Sequence, residues 1–380
     1  MATIYVDPLN GADNGDAGRG EGEGTDAYAS IAYALANYGS FSSTEGNTIY
    51  LADTAADVLS ASLDCDTSVA TVESPLAIVG YHYDGSNGGS AGAITATLPW
   101  GRTVSAGEID GNDAVAQIID TNTSYTTLRR LKMHSVTGIV ISLYTNSRAV
   151  ECEIYDGGTV RTVSGSGRGD FIWCTIRHTT GGGNGVYAPA RVEGCEISDH
   201  DEGVLIFLNY SGIASGNLIH GITDAGIQVL GDGITVEGNT IDGSGAATDA
   251  IGVEMTSANV EGTNIYNNLI TNFSGASAKA IYAPTGSPCA TRGNNAFYNN
   301  STDNDTPAPA NPITDVTESG DPYTDAASDD FSLDSGASSI GAAIITNADP
   351  DNPDNIGAWQ DYSSGGGGAT PGMTAHVTVA

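Results

Sequence analysis

"ASGNLIHGITDAGIQVLGDGITVEGNTIDGSG", residues 214–245, carries the same unit twice. Ala214-Ser-Gly-Asn-Leu-Ile219 returns as Val236-Glu-Gly-Asn-Thr-Ile241 after 22 residues. With Asn217 and Asn239 as register marks, the slot falls forward on Asn268 and Asn295 and backward on Cys195, Cys174, Cys152 and Leu131. Two positions on, an apolar residue stands every time: Met133, Ile154, Ile176, Ile197, Ile219, Ile241, Ile270 and Phe297. A second apolar column follows at Ile139, Val160, Val186, Val204, Ile227, Ile251 and Ile281, usually preceded by Gly or Ala. A period near 22 residues is the mark of a solenoid.

The units are short, β-branched and bounded by Gly, Asn and Asp, with no helical pattern between them. A parallel β-helix fits, because each coil adds a strand about 4.8 Å above the last and turns a sequence column into a stack. Inward Ile and Val make the core, and stacked Asn side chains bond to those above and below. Cys152, Cys174 and Cys195 take the slot that Asn fills further along. Parallel stacking points their Cβ vectors the same way, which is poor disulfide geometry. They are expected to be buried thiols filling a bend, the other reading being a metal or redox site.

Composition narrows the partners. The 380 residues carry 46 Asp and Glu against 12 Lys and Arg, a formal charge of −34, with only 15% charged residues. Such a surface repels nucleic acid and anionic membrane. No apolar run reaches the 18 residues of a bilayer span. The opening "MATIYVDPLNGADNGD" has neither the basic nor the apolar region of a secretory signal, so synthesis in a cytosol without a leader is expected. Five cysteines in so long a chain are not a disulfide framework.

These columns resemble the right-handed parallel β-helix superfamily, the pectate-lyase-like fold, and both ends extend the resemblance. "IYVDPLNGADNGDAG…DAYASIAYALANYG" looks like that superfamily's opening strand, acidic loop and short helix. Tyr28, Ile31, Ala32 and Leu35 give the helix an apolar face, Thr25 or Asp26 could cap it, and Gly39 stops it. It is expected to cover the open end of the solenoid. "DDFSLDSGASSIGAA…DNPDNIGAWQ" resembles the closing segment, with Ser339 and Gly341 where Pro and Asp are usual.

The expected organisation is an opening segment with capping helix (1–46), a parallel β-helix (47–313), a closing segment (314–360) and a Gly-rich linker with a C-terminal strand (361–380). The fold class is therefore all-β, a single solenoid with an N-terminal capping helix, a C-terminal cap and an extended arm. The arm is expected to add a strand to a neighbouring subunit.

Polar columns supply the site candidates. Three and four places after the marker stand Tyr155 and Asp156, Arg177 and His178, Ser198 and Asp199, His220, and Asp242. His200, Asp201, Glu202 and Asp224 follow along those bends. Residues scattered along the chain are thereby gathered onto adjacent coils. For a glycoside hydrolase, Asp156, Asp199 and Asp201 could supply the carboxylate pair. For a uronate lyase, Arg177 could neutralise the sugar carboxylate, with Tyr155, His178 or His200 as base. Tyr155, His200, Glu202, His220, Asp224 and Asp242 serve equally as sugar contacts on an exposed bend.

Asp7, Asp13 and Asp16 in "DPLNGADNGDAGRGEGEG" are candidates for a structural calcium, although the spacing is not an EF-hand's. No cofactor is otherwise required. The sequence expectation is a virion surface protein of a tailed phage, a capsid decoration or tail spike, contacting a glycan without cleaving it. Its partners would be other virion proteins or copies of itself. The alternative is a secreted polysaccharide lyase or hydrolase acting on an acidic glycan.

Overall fold

The computed structural model describes residues 2–339, 342 and 357, apart from 17–18, 39–40, 66–69, 84–93, 122–124, 145, 159–160, 166–167, 180, 207–211, 257–261, 285–288, 307–310 and 329. The C-terminal arm expected at 361–380, and nearly all of the closing segment beyond residue 339, lie outside the described residues.

Among the described residues three long parallel sheets stack coil upon coil. The first has 12 strands, from Ala2–Val6 and Asn47–Ala52 through to Asn311–Pro312. The second has 11, from Ala56–Val58 to Val316–Thr317, and the third has 10, from Leu63–Asp64 to Asn304–Asp305. Each coil contributes one strand to each sheet in turn. The register is that of the sequence columns: Met133 pairs with Ile154, then Ile176, Ile197, Ile219, Ile241, Ile270 and Phe297. All eight are buried, from 0 to 2% exposed.

The third sheet corrects part of the second apolar column. Its inward stack is Ile141, Val163, Val186, Val204, Ile227, Val253 and Ile281. Ile139 and Ile251 are half-buried and sit two positions earlier, and Val160 is outside the described residues. Alternating apolar pairs such as Ile251 and Val253 satisfy a period of two equally well, so the packing decides. Gly226 and Gly252 mark the choice. A Cβ on Gly226 would lie 2.5 Å from Ile241 Cγ2 and 2.6 Å from the Gly252 carbonyl, so the third sheet closes directly onto the isoleucine stack of the second.

The asparagine ladder is continuous. Asn217 Nδ2 donates to Asn239 Oδ1 (2.8 Å), Asn239 to Asn268 (2.9 Å) and Asn268 to Asn295 (3.0 Å). Each Oδ1 also accepts the backbone N–H of the preceding rung, and Asp315 terminates the stack. The cysteines continue it upstream as free, buried thiols: Cys174 Sγ donates to the Ala149 carbonyl and Cys195 Sγ to that of Phe171, each at 3.5 Å. The carbonyls that Asn side chains reach further on are thus reached by sulfur here.

Two additions lie on the solenoid. The helix is Ile31–Asn37, packed against the first strands of the first and third sheets. Its cap is Ser30, whose Oγ accepts from the Tyr33 N–H, and not Thr25 or Asp26, which form a separate 3₁₀ turn. Asp57 Oδ2 accepts from the Ile31 N–H (2.8 Å). The buried helix positions are Ile31 and Ala34, while Ala32 is exposed. The closing hairpin, Tyr323–Asp325 with Asp330–Leu333, lies along the outer face of the second sheet, where Tyr323, Phe331 and Leu333 bury Leu218, Leu269 and Ala296.

The three acids considered for calcium hold the opening loop by separate hydrogen bonds. Asp7 accepts from the Leu9 and Asn10 backbone and from Thr54 Oγ1; Asp13 from Ala29, Ser30 and Ser30 Oγ; Asp16 pairs with Arg19. Among the described residues, no three His, Cys, Asp or Glu side chains converge as a metal-ligand set. No described helix is long and apolar enough to cross a membrane.

Candidate functional site

The outer face of the second sheet is built from the positions on either side of the inward Ile column, because successive side chains of a strand point to opposite faces. One outward row runs Lys132, Glu153, Thr175, Glu196, Leu218, Thr240, Leu269. The other passes through Tyr155, Arg177, Ser198 and His220, and further along through Asp242 and Thr271. Two hairpins cover the ends of this face. Thr95–Leu98 with Arg102–Ser105 sits over the early coils, where the Thr97 N–H donates to Glu153 Oε2 (2.8 Å). The closing hairpin covers the late coils.

Between the hairpins an open groove of about 300 Å³ remains. Its floor is Thr175, Arg177, Glu196, Ser198, His220 and Asp242; Thr97 stands at one wall, Phe331 and Ala326 at the other, and Asp199 at the rim. His220 packs on Phe331 with ring centroids 4.8 Å apart, and its Nε2 lies 3.4 Å from Glu196 Oε1. Arg177 Nη2 donates to the buried Glu153 at 2.7 Å, and its guanidinium lies 5.0 Å from the Tyr155 ring centre. Asp242 accepts from Thr271 Oγ1 (2.8 Å), Asn272 Nδ2 (2.6 Å) and the Ser244 N–H (3.1 Å). Two buried polar atoms beneath the floor, Thr175 Oγ1 and Arg177 Nε, have no hydrogen-bond partner among the described residues.

Of the residues singled out from the sequence, Arg177, Asp199, His220 and Asp242 meet in this groove, with Tyr155 beside it. The rest are distributed elsewhere. Asp156 bonds the Thr179 N–H (3.2 Å) in the next bend, and Asp201 holds the Gly183 N–H (3.0 Å) and Thr223 Oγ1 (2.7 Å). His178 and His200 are buried, 5% and 1% exposed, and neither lines the groove. His178 Nε2 contacts the Gly157 carbonyl and His200 Nε2 the Thr162 hydroxyl. Burial, with His178 close by, pushes the His200 pKa down to about 3.

Glu202 begins a strand of the third sheet and bonds Asn184 Nδ2 at 2.8 Å. Its pKa is raised by burial and by Asp224 and Asp201. Asp224 is raised by burial and by Asp249 and Asp201. The candidates therefore divide because the bend after the second sheet turns its residues alternately inward, outward and onto the next sheet.

Sequence reasoning missed Glu153, Glu196, Thr97 and Phe331. A signal for the first two was present, since both stand one place after the marker, where an outward side chain is required. The apolar Leu218, Leu269 and Ala296 in that same row announce a cover. Nothing local says that the cover is residues 323–333.

Known proteins resemble the chain at the level of architecture. Residues 116–302 match the family model described as right handed beta helix region. The structure superposes on a pectate lyase, Pel9A, with a TM-score of 0.54 and 12% identity over 95% of this chain and 96% of that one. An alginate lyase from Paenibacillus sp. str. FPU-7 aligns at a TM-score of 0.43 and 16% identity, over 83% of this chain and 99% of that one. No curated protein sequence matches.

Proposed function

Since the chain is a right-handed parallel β-helix, we propose that the groove across its second sheet is a carbohydrate-contacting surface that binds without cleaving. The observation carrying this reading is the open groove itself, whose floor presents Arg177, Ser198 and His220 between the two hairpins. Glu196 and Asp199 add hydroxyl acceptors, and Phe331 an aromatic face at the wall. The expected ligand is a neutral glycan. The groove's one guanidinium already pairs with Glu153, and Glu196, Asp199 and Asp242 repel a uronate.

Of the proton acceptors considered for the lyase alternative, His178 and His200 are buried, and Tyr155, beside the groove, is the one left to that reading. The setting, the surface of a tailed-phage particle, is proposed from the sequence alone. A tight oligomer in solution is its expected signature, and a monomer at high concentration would count against it.

The test is a panel of neutral and acidic oligosaccharides, read for binding by calorimetry and for cleavage by new reducing ends and unsaturated uronate absorbance. We expect saturable binding to a neutral member, no product, and roughly tenfold weaker binding for Glu196→Gln. Product that disappears with Asp199→Ala would replace this reading with a hydrolase or lyase.

A further inference from the structure

The chain has 12 basic side chains against 46 acidic ones. Three of the 12 converge on a single carboxylate. Arg129 Nη2 lies 3.2 Å and Arg130 Nε 3.0 Å from Glu151 Oε2, while Arg102 Nη2 lies 3.6 Å from Glu151 Oε1. The cluster sits on the ridge where the first sheet bends into the second, the edge opposite the Asp199 bend, and Arg102 reaches it from the hairpin that walls the groove. Its local charge is +2 in a molecule of −34.

Each guanidinium has five N–H donors, and one carboxylate satisfies only a few of them. The three side chains are 31 to 43% exposed, whereas Glu151 is 13% exposed, so the acid lies beneath the arginines. Burial works against the charged form of Glu151, yet Arg130 and Arg129 hold its pKa below the usual carboxylate range. The buried acid orients the forks and leaves their outer donors free. Along the same ridge the half-buried Trp173 follows Glu151 by one coil and Arg130 by two, a rise of about 10 Å from the arginines, with its ring over Gly194.

We propose that this ridge is a second ligand site, taking the carboxylate of an acidic sugar between Arg129, Arg130 and Arg102 with the sugar's apolar face toward Trp173. Planar guanidiniums match carboxylates in bidentate geometry, and aromatic rings take the C–H face of sugars. The site is independent of the groove. It gives a strongly acidic protein one place where an acidic glycan is attracted.

The experiment is calorimetric titration of the intact protein with tetragalacturonate, with neutral galactotetraose, and with inorganic sulfate as competitor, at low and moderate salt. The expected result is saturable binding of the uronate that salt and sulfate weaken, with any binding of the neutral tetramer unaffected by either. Affinity should fall about tenfold or more in the Arg129→Gln, Arg130→Asn double variant, each charge-assisted bond contributing about that factor. Asn suits the left-handed backbone of Arg130, and circular dichroism checks that the variant is folded. Unchanged uronate binding in the variant, or a loss of neutral-tetramer binding equal to that of the uronate, overturns the proposal. Sulfate displacing the ligand as effectively, mole for mole, as free tetragalacturonate does would show that the ridge reads an anion and not a sugar, and removes that part.

Discussion

Eight successive coils hold the residue before the ladder slot in the left-handed backbone region: Arg130, Glu151, Trp173, Gly194, Gly216, Gly238, Asn267 and Asn294. Five of them are not glycine, and each such residue costs about 1–2 kcal/mol. The bend is so short that only this conformation turns the chain from the first sheet into the second. At Gly194 (φ +60°) the requirement is doubled, because an added Cβ would come within 2.7 Å of the Trp173 ring. Gly194→Ala should therefore destabilise the protein by about 1–3 kcal/mol, read as a lower urea midpoint at unchanged m. An unchanged midpoint would mean that the ring moves freely.

His200 makes the clearest pH prediction at this scale. Its folded pKa, about 3, lies below the ordinary value of 6.5, so the unfolded chain binds the proton and the native one does not. The contribution of His200 is fully present above pH 6.5 and is lost as pH falls toward 3, at up to about 1.4 kcal/mol per unit. Asp57 acts oppositely: burial raises its pKa to about 6, so its contribution is lost as pH rises between about 4 and 6. Comparing wild type with His200→Gln at pH 7 and pH 5 isolates the histidine. The gap between them should close at the lower pH, and a constant gap would refute the assignment.

At the scale of elements, the ladder is what joins one coil to the next at the bend. Asn239 is fully buried and makes bonds to both neighbouring rungs. Asn239→Ala should cost about 3–5 kcal/mol because it orphans groups on both sides. Asn239→Cys should cost less, since sulfur already serves that slot at Cys174 and Cys195. Equal loss in chemical denaturation would mean the thiol is only a filler. The Ile and Asn columns were legible from spacing because every coil repeats them. Which outward residues join in one groove was not, since solvent-facing positions obey no constraint until something covers them.

At the scale of the whole molecule, charge works against compactness. With a formal charge of −34, like charges are stacked coil upon coil, and screening should relieve them. Raising NaCl from about 20 mM to about 500 mM should raise the melting temperature. No rise would mean that the acids are already compensated by local hydrogen bonds. The two hairpins have the opposite character, since they bury apolar surface on the second sheet and set the length of the groove. Tyr323 and Phe331 meet edge to face at 5.2 Å over Leu269, an interaction that ties chain positions far apart.

The sequence by itself determined the solenoid, its register on the second sheet, the asparagine and cysteine stack, and the outward placement of Arg177, His220 and Asp242. It could do so because a coil of constant geometry writes each vertical stack as a period along the chain. Only the tertiary structure decided which third-sheet residues face inward, that His178 and His200 are buried, and that two distant hairpins leave a groove between them. Those outcomes depend on contacts between segments without a common period, where packing and burial choose among patterns that the chain alone leaves equal.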